Sequence, residues 1–355
     1  MVLAGLAPLG VVGCVPAAQA PAPRLAATLP APTYRVAVPV PPPPPPRALA
    51  PTALVTSINT LAEDFGGRVG IAVKSIDDDW MVAKNGELAL PQQSVSKLWV
   101  AMTTLDALDK GRITLDQSVT LTRADLTLFH QPIAALVKDG GYTTTVRDLL
   151  QRAMTRSDNT ANDRLLKLVG GPVSVNAFID DRNLGNIKFG PGERLLQAGT
   201  AGLTWKQDMA MAGAFQAARA KLPRDVRRMA FDGYIANPPD GAGAAAIANA
   251  LARLQRGDLL SPASTRWLIS TMESSKTGWA RLKAGTPKDW SLGHKTGTGQ
   301  DLFGRTAGFN DIGILTAPNG KSYAIAVMIG DTSRPVRERQ QLMQHVAAAV
   351  AANHR

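Results

Sequence analysis

The 355-residue chain has one cysteine, four histidines and 5% aromatic residues, and each shortage removes a class of chemistry. A lone Cys14 excludes an intrachain disulfide, Cys-rich zinc sites and iron–sulfur clusters, all of which need several thiolates. His130, His294, His345 and His354 include no pair at metal-ligand spacing, so neither a metal nor another cofactor is expected. There is no G-x-S-x-G elbow and no glycine-rich phosphate loop. An α/β-hydrolase triad and nucleotide chemistry therefore have no seat. The apolar stretch at residues 1–13 is too short to cross a bilayer.

What remains is a globular composition, 45% hydrophobic and 19% charged, with enough chain for two domains or one two-lobed domain. Positive charge is in excess, 39 Lys+Arg against 28 Asp+Glu, a balance that suits polyanions, anionic lipid or an acidic small substrate. The basic residues are dispersed, and the densest group, Arg224, Arg227 and Arg228, is interrupted by Asp225. No nucleic acid partner is expected.

Residues 1–20 read as an export signal with two exits: Val11-Val12-Gly13-Cys14 has the form of a bacterial lipobox, and Ala18-Gln19-Ala20 fits ordinary cleavage. The first predicts a lipid anchor through Cys14, and both predict an exported, periplasmic protein. Residues 21–53, including the run Pro41 to Pro46, predict a semi-rigid polyproline II spacer. The folded body is expected over residues 54–355. Its patterning runs helix (54–65), strands (68–76 and 80–84), many helices, strands (290–296, 308–316 and 323–329) and a closing helix (335–352). That order predicts an α/β fold in which the two ends of the chain share one antiparallel sheet flanked by helices, while the middle forms a helical lobe.

Ser94-Val95-Ser96-Lys97 places a hydroxyl and an amine three residues apart, hence on one face of a helix predicted over 94–110. A neutral lysine there can take the serine proton, and a helix N-terminus favours a developing oxyanion. Two further elements follow: Ser157-Asp158-Asn159 between helical segments, and Lys295-Thr296-Gly297 at the end of a short strand. Lys276-Thr277-Gly278 repeats the last tripeptide, but no strand precedes it. Lys295 is therefore the expected partner.

S-x-x-K, S-D-N and K-T-G in that order are the signature of class A β-lactamases and penicillin-binding proteins, and residues 54–352 resemble class A serine β-lactamases. The resemblance implies the serine β-lactamase-like fold with its active site between sheet and lobe. It makes Ser94 the acylated nucleophile, Lys97 a base and hydrogen-bond organiser, and Ser157 the proton shuttle to the lactam nitrogen. Asn159 would hold the substrate side-chain amide, and Lys295, Thr296 and Gly297 the substrate carboxylate. The backbone N–H of Thr298 would complete an oxyanion hole with that of Ser94. The implied substrate is a small β-lactam, acted on by a monomer.

What separates a lactamase from a penicillin-binding module is a base that activates water on the acyl-enzyme. The family places it in E-x-x-L-N, and here Glu193-Arg194-Leu195-Leu196-Gln197 ends in glutamine. Other departures are Pro191-Gly192 in place of an anchoring arginine, Asp163 in place of a bracing asparagine, and His294 in place of an acidic residue. Residues 198–243 look like an inserted helical element. Phe129 or His130 is expected at the cleft mouth, and Arg305 is the candidate extra cation for the substrate carboxylate. The alternatives are a D-Ala-D-Ala peptidase acting on peptidoglycan stem peptides and a penicillin-binding module without turnover.

Overall fold

The computed structural model describes Pro21 and residues 48–355. The expected signal, Cys14 and most of the proline-rich spacer lie outside the described residues. The first helix, α1 (Thr52–Phe65), begins two residues before the expected position, directly after Pro51.

Two strands follow, β1 (Arg68–Ser75) and β2 (Met81–Lys84), and near the other end of the chain come β3 (Ser291–Thr298), β4 (Phe309–Thr316) and β5 (Ser322–Asp331). They form one antiparallel sheet in the order β2-β1-β5-β4-β3. The first and last thirds of the fold therefore meet at the β1–β5 pairing, where Ile71 lies opposite Val327. Side chains alternate across these strands with period two. Ile71, Val73, Ile325 and Val327 pack on one face with Leu54 and Ile58 of α1 and with Met343 and Val346 of the closing helix. Ala72, Ala324, Ala326 and Met328 face the other way, into the core of the helical lobe. Small residues on that face let a helix approach the sheet closely.

The lobe is built from α2 (Lys97–Asp109), α3 (Val146–Thr155), α4 (Asn159–Leu168), α5 (Gly171–Asp181), α6 (Glu193–Thr200), α7 (Ala214–Ala220), α8 (Arg224–Ala236), α9 (Ala244–Arg256) and α10 (Pro262–Glu273). A short α11 (Leu282–Gly285) and the closing α12 (Val336–Ala352) complete the chain. In α2 every residue except the last two is buried, which is the pattern of a helix enclosed on all sides. It is entered through a 3₁₀ turn, Gln93–Ser96, rather than starting at Ser94 as predicted. The α5 helix was not anticipated from sequence; it opens on Gly170-Gly171-Pro172, a breaker signal that also suits a first helical turn. The expected helical element at 198–243 contains α7 and α8.

Ser157 lies between α3 and α4, as expected of a serine set between helical segments. Thr145 caps α3 by accepting from Asp148 N, and Asp158 caps α4 by accepting from Ala161 N. Between them Ser157 adopts a left-handed backbone, φ 58°, which turns its hydroxyl out of the helical register.

Trp99 of α2 is fully buried, and its indole Nε1 donates to Gln92 Oε1 at 2.6 Å. The same amide donates through Nε2 to the carbonyls of Lys188 (2.9 Å) and Asp240 (2.7 Å), so it ties α2 to two distant loops. Trp99→Phe leaves that buried oxygen without a donor and a void beside it. A loss of about 2–4 kcal/mol is expected in urea denaturation, and an unchanged midpoint would show that the contact carries little.

Candidate active site

Ser94 sits half-buried in the 3₁₀ turn that opens α2. Lys97, one turn on and fully buried, donates from Nζ to Ser94 Oγ at 2.7 Å. The same Nζ is in direct contact with Oε1 of Glu193, the first residue of α6 and itself buried. Across the cleft, Lys295 on β3 donates from Nζ to Ser157 Oγ at 2.9 Å and to its neighbour's carbonyl, Thr296 O, at 2.9 Å. Burial is the main cause, and Lys97 the second, that holds the Lys295 ammonium well below its ordinary range. Ser94, Ser157, Asn159, Glu193, Thr296 and Thr298 all line one cavity of about 370 Å³, with Phe129 and His130 also on its wall.

The backbone around the cleft is held in unusual conformations. Gln93, Phe129 and Ser157 have φ values of 53°, 61° and 58°, each of which costs on the order of 1–3 kcal/mol for a non-glycine residue. Hydrogen bonds hold them there. Gln93 N donates to Asp240 Oδ2 at 2.8 Å, and Asn159 of α4 holds the Phe129 segment by donating from Nδ2 to Leu128 O at 2.9 Å. Gly297 must lack a side chain, because a Cβ there would collide with the Gln92 carbonyl oxygen. This close approach brings the K-T-G strand onto the turn that carries the nucleophile.

Glu193 is carried into the cleft by a loop braced through its backbone. Glu193 N and Arg194 N donate to the two oxygens of Asp163, at 3.0 and 3.3 Å. Gly192, φ 92°, precedes them; a Cβ on it would press on the Leu166 side chain. Burial raises Asp163 to about 6, with the neighbouring Glu193 carboxylate as the second cause. Gln197, one turn along α6, donates from Nε2 to Glu193 Oε2 at 3.4 Å and to Gln93 Oε1 at 2.9 Å.

Three side chains have positions that the sequence did not settle or placed wrongly. Arg305, expected beside the substrate carboxylate, is instead clamped by Asp331 (2.8 Å) and Asp232 (2.7 Å) and does not line the cavity. The cation on the cavity wall is Arg281, which donates to Gly297 O at 2.9 Å and to Thr298 Oγ1 at 2.5 Å. Burial draws Arg281 down to about 10. The sequence signal was present in the second K-T-G: Thr277 and Gly278 line the same cavity, whereas Lys276 faces a separate one with Arg152 and Trp267. His294 is buried away from the cavity, with Nδ1 bonded to Asp311 at 2.9 Å.

The 198–243 segment reaches both sides of this site. Phe215 of α7 packs edge-on against Phe129, with ring centroids 5.0 Å apart. Gln207 donates to the carbonyls of Arg123 and Leu126 on the lobe side. Arg219 donates to Asp301 O on the sheet side. Tyr234 and Asp240, which sequence reasoning did not single out, hold Gln93 from below.

A serine hydroxyl against a buried lysine, a carboxylate on that lysine, and a second serine–lysine pair across the cleft are the parts of a hydrolase that works through a covalent acyl-serine. Comparison with known proteins agrees. Residues 53–354 match the model of the β-lactamase enzyme family, and the chain belongs to that family. It is 26% identical over 295 residues to β-lactamase VEB-1 of Pseudomonas aeruginosa, covering 83% of this chain and 88% of that one. With the extended-spectrum β-lactamase PER-1 of the same organism it shares 29% over 280 residues, 79% and 80% of the two chains. The crystal structure of a β-lactamase from Chitinophaga pinensis superposes with a TM-score of 0.69 at 27% identity, covering 84% of this chain and 99% of that one.

Burial also raises Asp240 to about 6, and its Oδ1 has no hydrogen-bond partner. A carboxylate raised in this way binds its proton more tightly folded than unfolded, so stability falls as pH climbs from about 4 to about 6 and stays lowered above. Asp240→Asn keeps the oxygen that accepts from Gln93 N and Tyr234 Oη and removes the ionisation. At pH 7.5 the variant is expected to equal or exceed the wild type in urea denaturation, by up to about 3 kcal/mol, and the difference should vanish near pH 4. An equal loss at both pH values would contradict the assignment.

Proposed function

We propose that the protein hydrolyses β-lactams through an acyl-enzyme on Ser94 that is released by water activated at Glu193. The observation that carries this reading is the contact of Lys97 Nζ with both Ser94 Oγ and Glu193 Oε1, which joins the nucleophile and the water-activating carboxylate in one proton path. Family membership and the named β-lactamases support the substrate class.

In acylation Ser94 Oγ attacks the lactam carbonyl carbon, and its proton passes to the Lys97–Glu193 pair. The oxyanion is met by the backbone N–H groups of Ser94 and Thr298. The C–N bond then breaks as Ser157, whose Oγ accepts from Lys295 Nζ, delivers its proton to the nitrogen. The proton taken up by the Lys97–Glu193 pair passes on to Ser157 Oγ, which leaves Glu193 a free carboxylate for deacylation. In deacylation Glu193 takes a proton from water, the hydroxide adds to the ester carbon, and Ser94 leaves with a proton returned through Lys97. Lys295, Thr296 and Arg281 make the cleft complementary to the substrate carboxylate, and the Asn159 amide faces its side chain.

Location belongs to the same reading. An exported, periplasmic enzyme held by a lipid on Cys14, behind a proline-rich spacer, is supported by the lipobox-like Val11-Val12-Gly13-Cys14. Metabolic palmitate labelling of the wild type but not of Cys14→Ser is the expected result.

Purified protein incubated with a chromogenic cephalosporin is expected to turn over steadily. One stoichiometric acylation without further product would instead indicate a penicillin-binding module, and D-alanine release from a pentapeptide would indicate a peptidase. Glu193→Gln is expected to trap the acyl adduct in intact-mass spectra, and Ser94→Ala to abolish it. Unaltered deacylation in Glu193→Gln removes the base assignment.

Arg281→Ala should raise KM for an anionic β-lactam about tenfold or more, the scale of one charge-assisted hydrogen bond. Arg305→Ala should leave KM within about twofold. The reverse pattern would restore Arg305 to the carboxylate site.

A further inference from the structure

Five polar side chains outside the reacting pair form one buried chain that ends on Glu193. It begins in the 198–243 segment. Tyr234 of α8 is buried, and its hydroxyl lies 3.2 Å from Asp240 Oδ2 and 2.5 Å from Gln93 Nε2. The carboxylate accepts and the amide nitrogen donates, so the hydroxyl donates to Asp240 and accepts from Gln93. Burial, with Asp240 as the next cause, pushes the Tyr234 hydroxyl well above its ordinary range, which keeps the donated proton on it.

That polarity propagates. With its Nε2 committed to Tyr234 and to Ala307 O (3.3 Å), Gln93 presents Oε1 to the cleft, where it accepts from Gln197 Nε2 at 2.9 Å. Gln197 is thereby oriented with its NH₂ toward Glu193 Oε2, 3.4 Å away, and its Oε1 turned to Gln300 Nε2, 2.9 Å away. Gln300 Nε2 also donates to the Gln197 backbone carbonyl at 2.8 Å. An amide has one donor edge and one acceptor edge, so reversing any member reverses the edge that faces the next. A reversed Gln197 would point an oxygen at the Glu193 carboxylate.

We propose that Tyr234 is a positioning residue for deacylation: by fixing the orientation of Gln93 it makes Gln197 present a donor edge to Glu193. The inference rests on the reading of Glu193 as the water-activating base. It also gives Gln197 a role that an asparagine would not fill, because its longer arm spans from Glu193 to Gln93. The 198–243 segment is then a support for the second half of the reaction. Lys97 Nζ bonds Ser94 Oγ and Oε1 of Glu193, whereas Gln197 addresses the other oxygen, Oε2, so loss of the donor edge falls on the water-activating step more than on acylation and the two halves should separate on substitution.

The test is single-turnover kinetics with intact-mass detection on the full chain. Tyr234→Phe is expected to acylate within about twofold of wild type and to deacylate about tenfold or more slowly, so the adduct persists. In a Gln93→Met background, which has already lost the orienting amide, Tyr234→Phe should add less than about twofold. Deacylation at the wild-type rate in Tyr234→Phe overturns the proposal, as does an equal loss of both steps or full additivity with Gln93→Met. Glu193→Gln is run alongside. If it traps the adduct while Tyr234→Phe does not, the positioning role alone fails; if it turns over normally, the base assignment fails with it.

Discussion

The contact between Lys97 and Glu193 is the constraint around which the lobe is arranged. Two charges held largely out of water are expensive, and their attraction repays the cost only where the remaining lone pairs and protons are also met. Ser94 Oγ meets Lys97. Gln197 meets the far oxygen of Glu193, and Asp163 meets its backbone N–H. Removing one partner would leave an uncompensated buried charge, so α2, α4 and α6 are held in one mutual arrangement. A buried ion pair is weak evidence for stability but strong evidence for a functional demand, since well-packed apolar side chains would occupy the same space at lower cost.

The sheet delivers the other half of the cleft. Its edge strand β3 must approach the turn carrying Ser94 closely enough for Lys295 to reach Ser157 from the opposite lobe. Gly297 permits this, and Asn310 on β4 reinforces it by donating to the carbonyls of Pro91 and Gln92 at 2.8 and 3.0 Å. Arg281 closes the same seam from outside, lying over the Phe309 ring at 3.8 Å while donating to Asn310 O. The strained backbone at Gln93, Phe129 and Ser157 therefore lies along a seam with hydrogen bonds on both sides. Such strain persists only where the surroundings over-determine it.

Much of this was legible from residues. The alternation along β1 and the terminal location of the strands gave the shared sheet, and the three motifs named the residues that converge in the cleft. The choice of Lys295 over Lys276 rested on a strand edge, which the structure supplies. Arg305 was misplaced because sequence distance from Lys295 says nothing of the acidic side chains waiting nearby: Asp331 and Asp232 lie 26 and 73 positions away and claim its guanidinium. The network through Tyr234 and Asp240 was invisible for a related reason. A buried tyrosine and an aspartate in a proline-rich turn carry no local pattern, and their meaning arises only when Gln93, more than 140 positions earlier, is folded against them.

Asp163 shows how one substitution reshapes the support of a catalytic loop. A carboxylate offers two acceptor oxygens, and here both are used, one for Glu193 N and one for Arg194 N; an asparagine offers only one acceptor and would turn an NH₂ toward the other donor. The extra acceptor comes with a buried negative charge beside Glu193, which is why this carboxyl is raised to about 6. Arg194 offsets part of that cost, with Nε 3.8 Å from Asp163 Oδ2 and with its remaining N–H groups donated to the carbonyls of Ala124 and Asp125. The loop that presents Glu193 is thus anchored by two backbone N–H groups on a charged acceptor instead of by an arginine ahead of the glutamate. A Pro191-Gly192 sequence fits that position because the load has moved to Asp163 and Arg194.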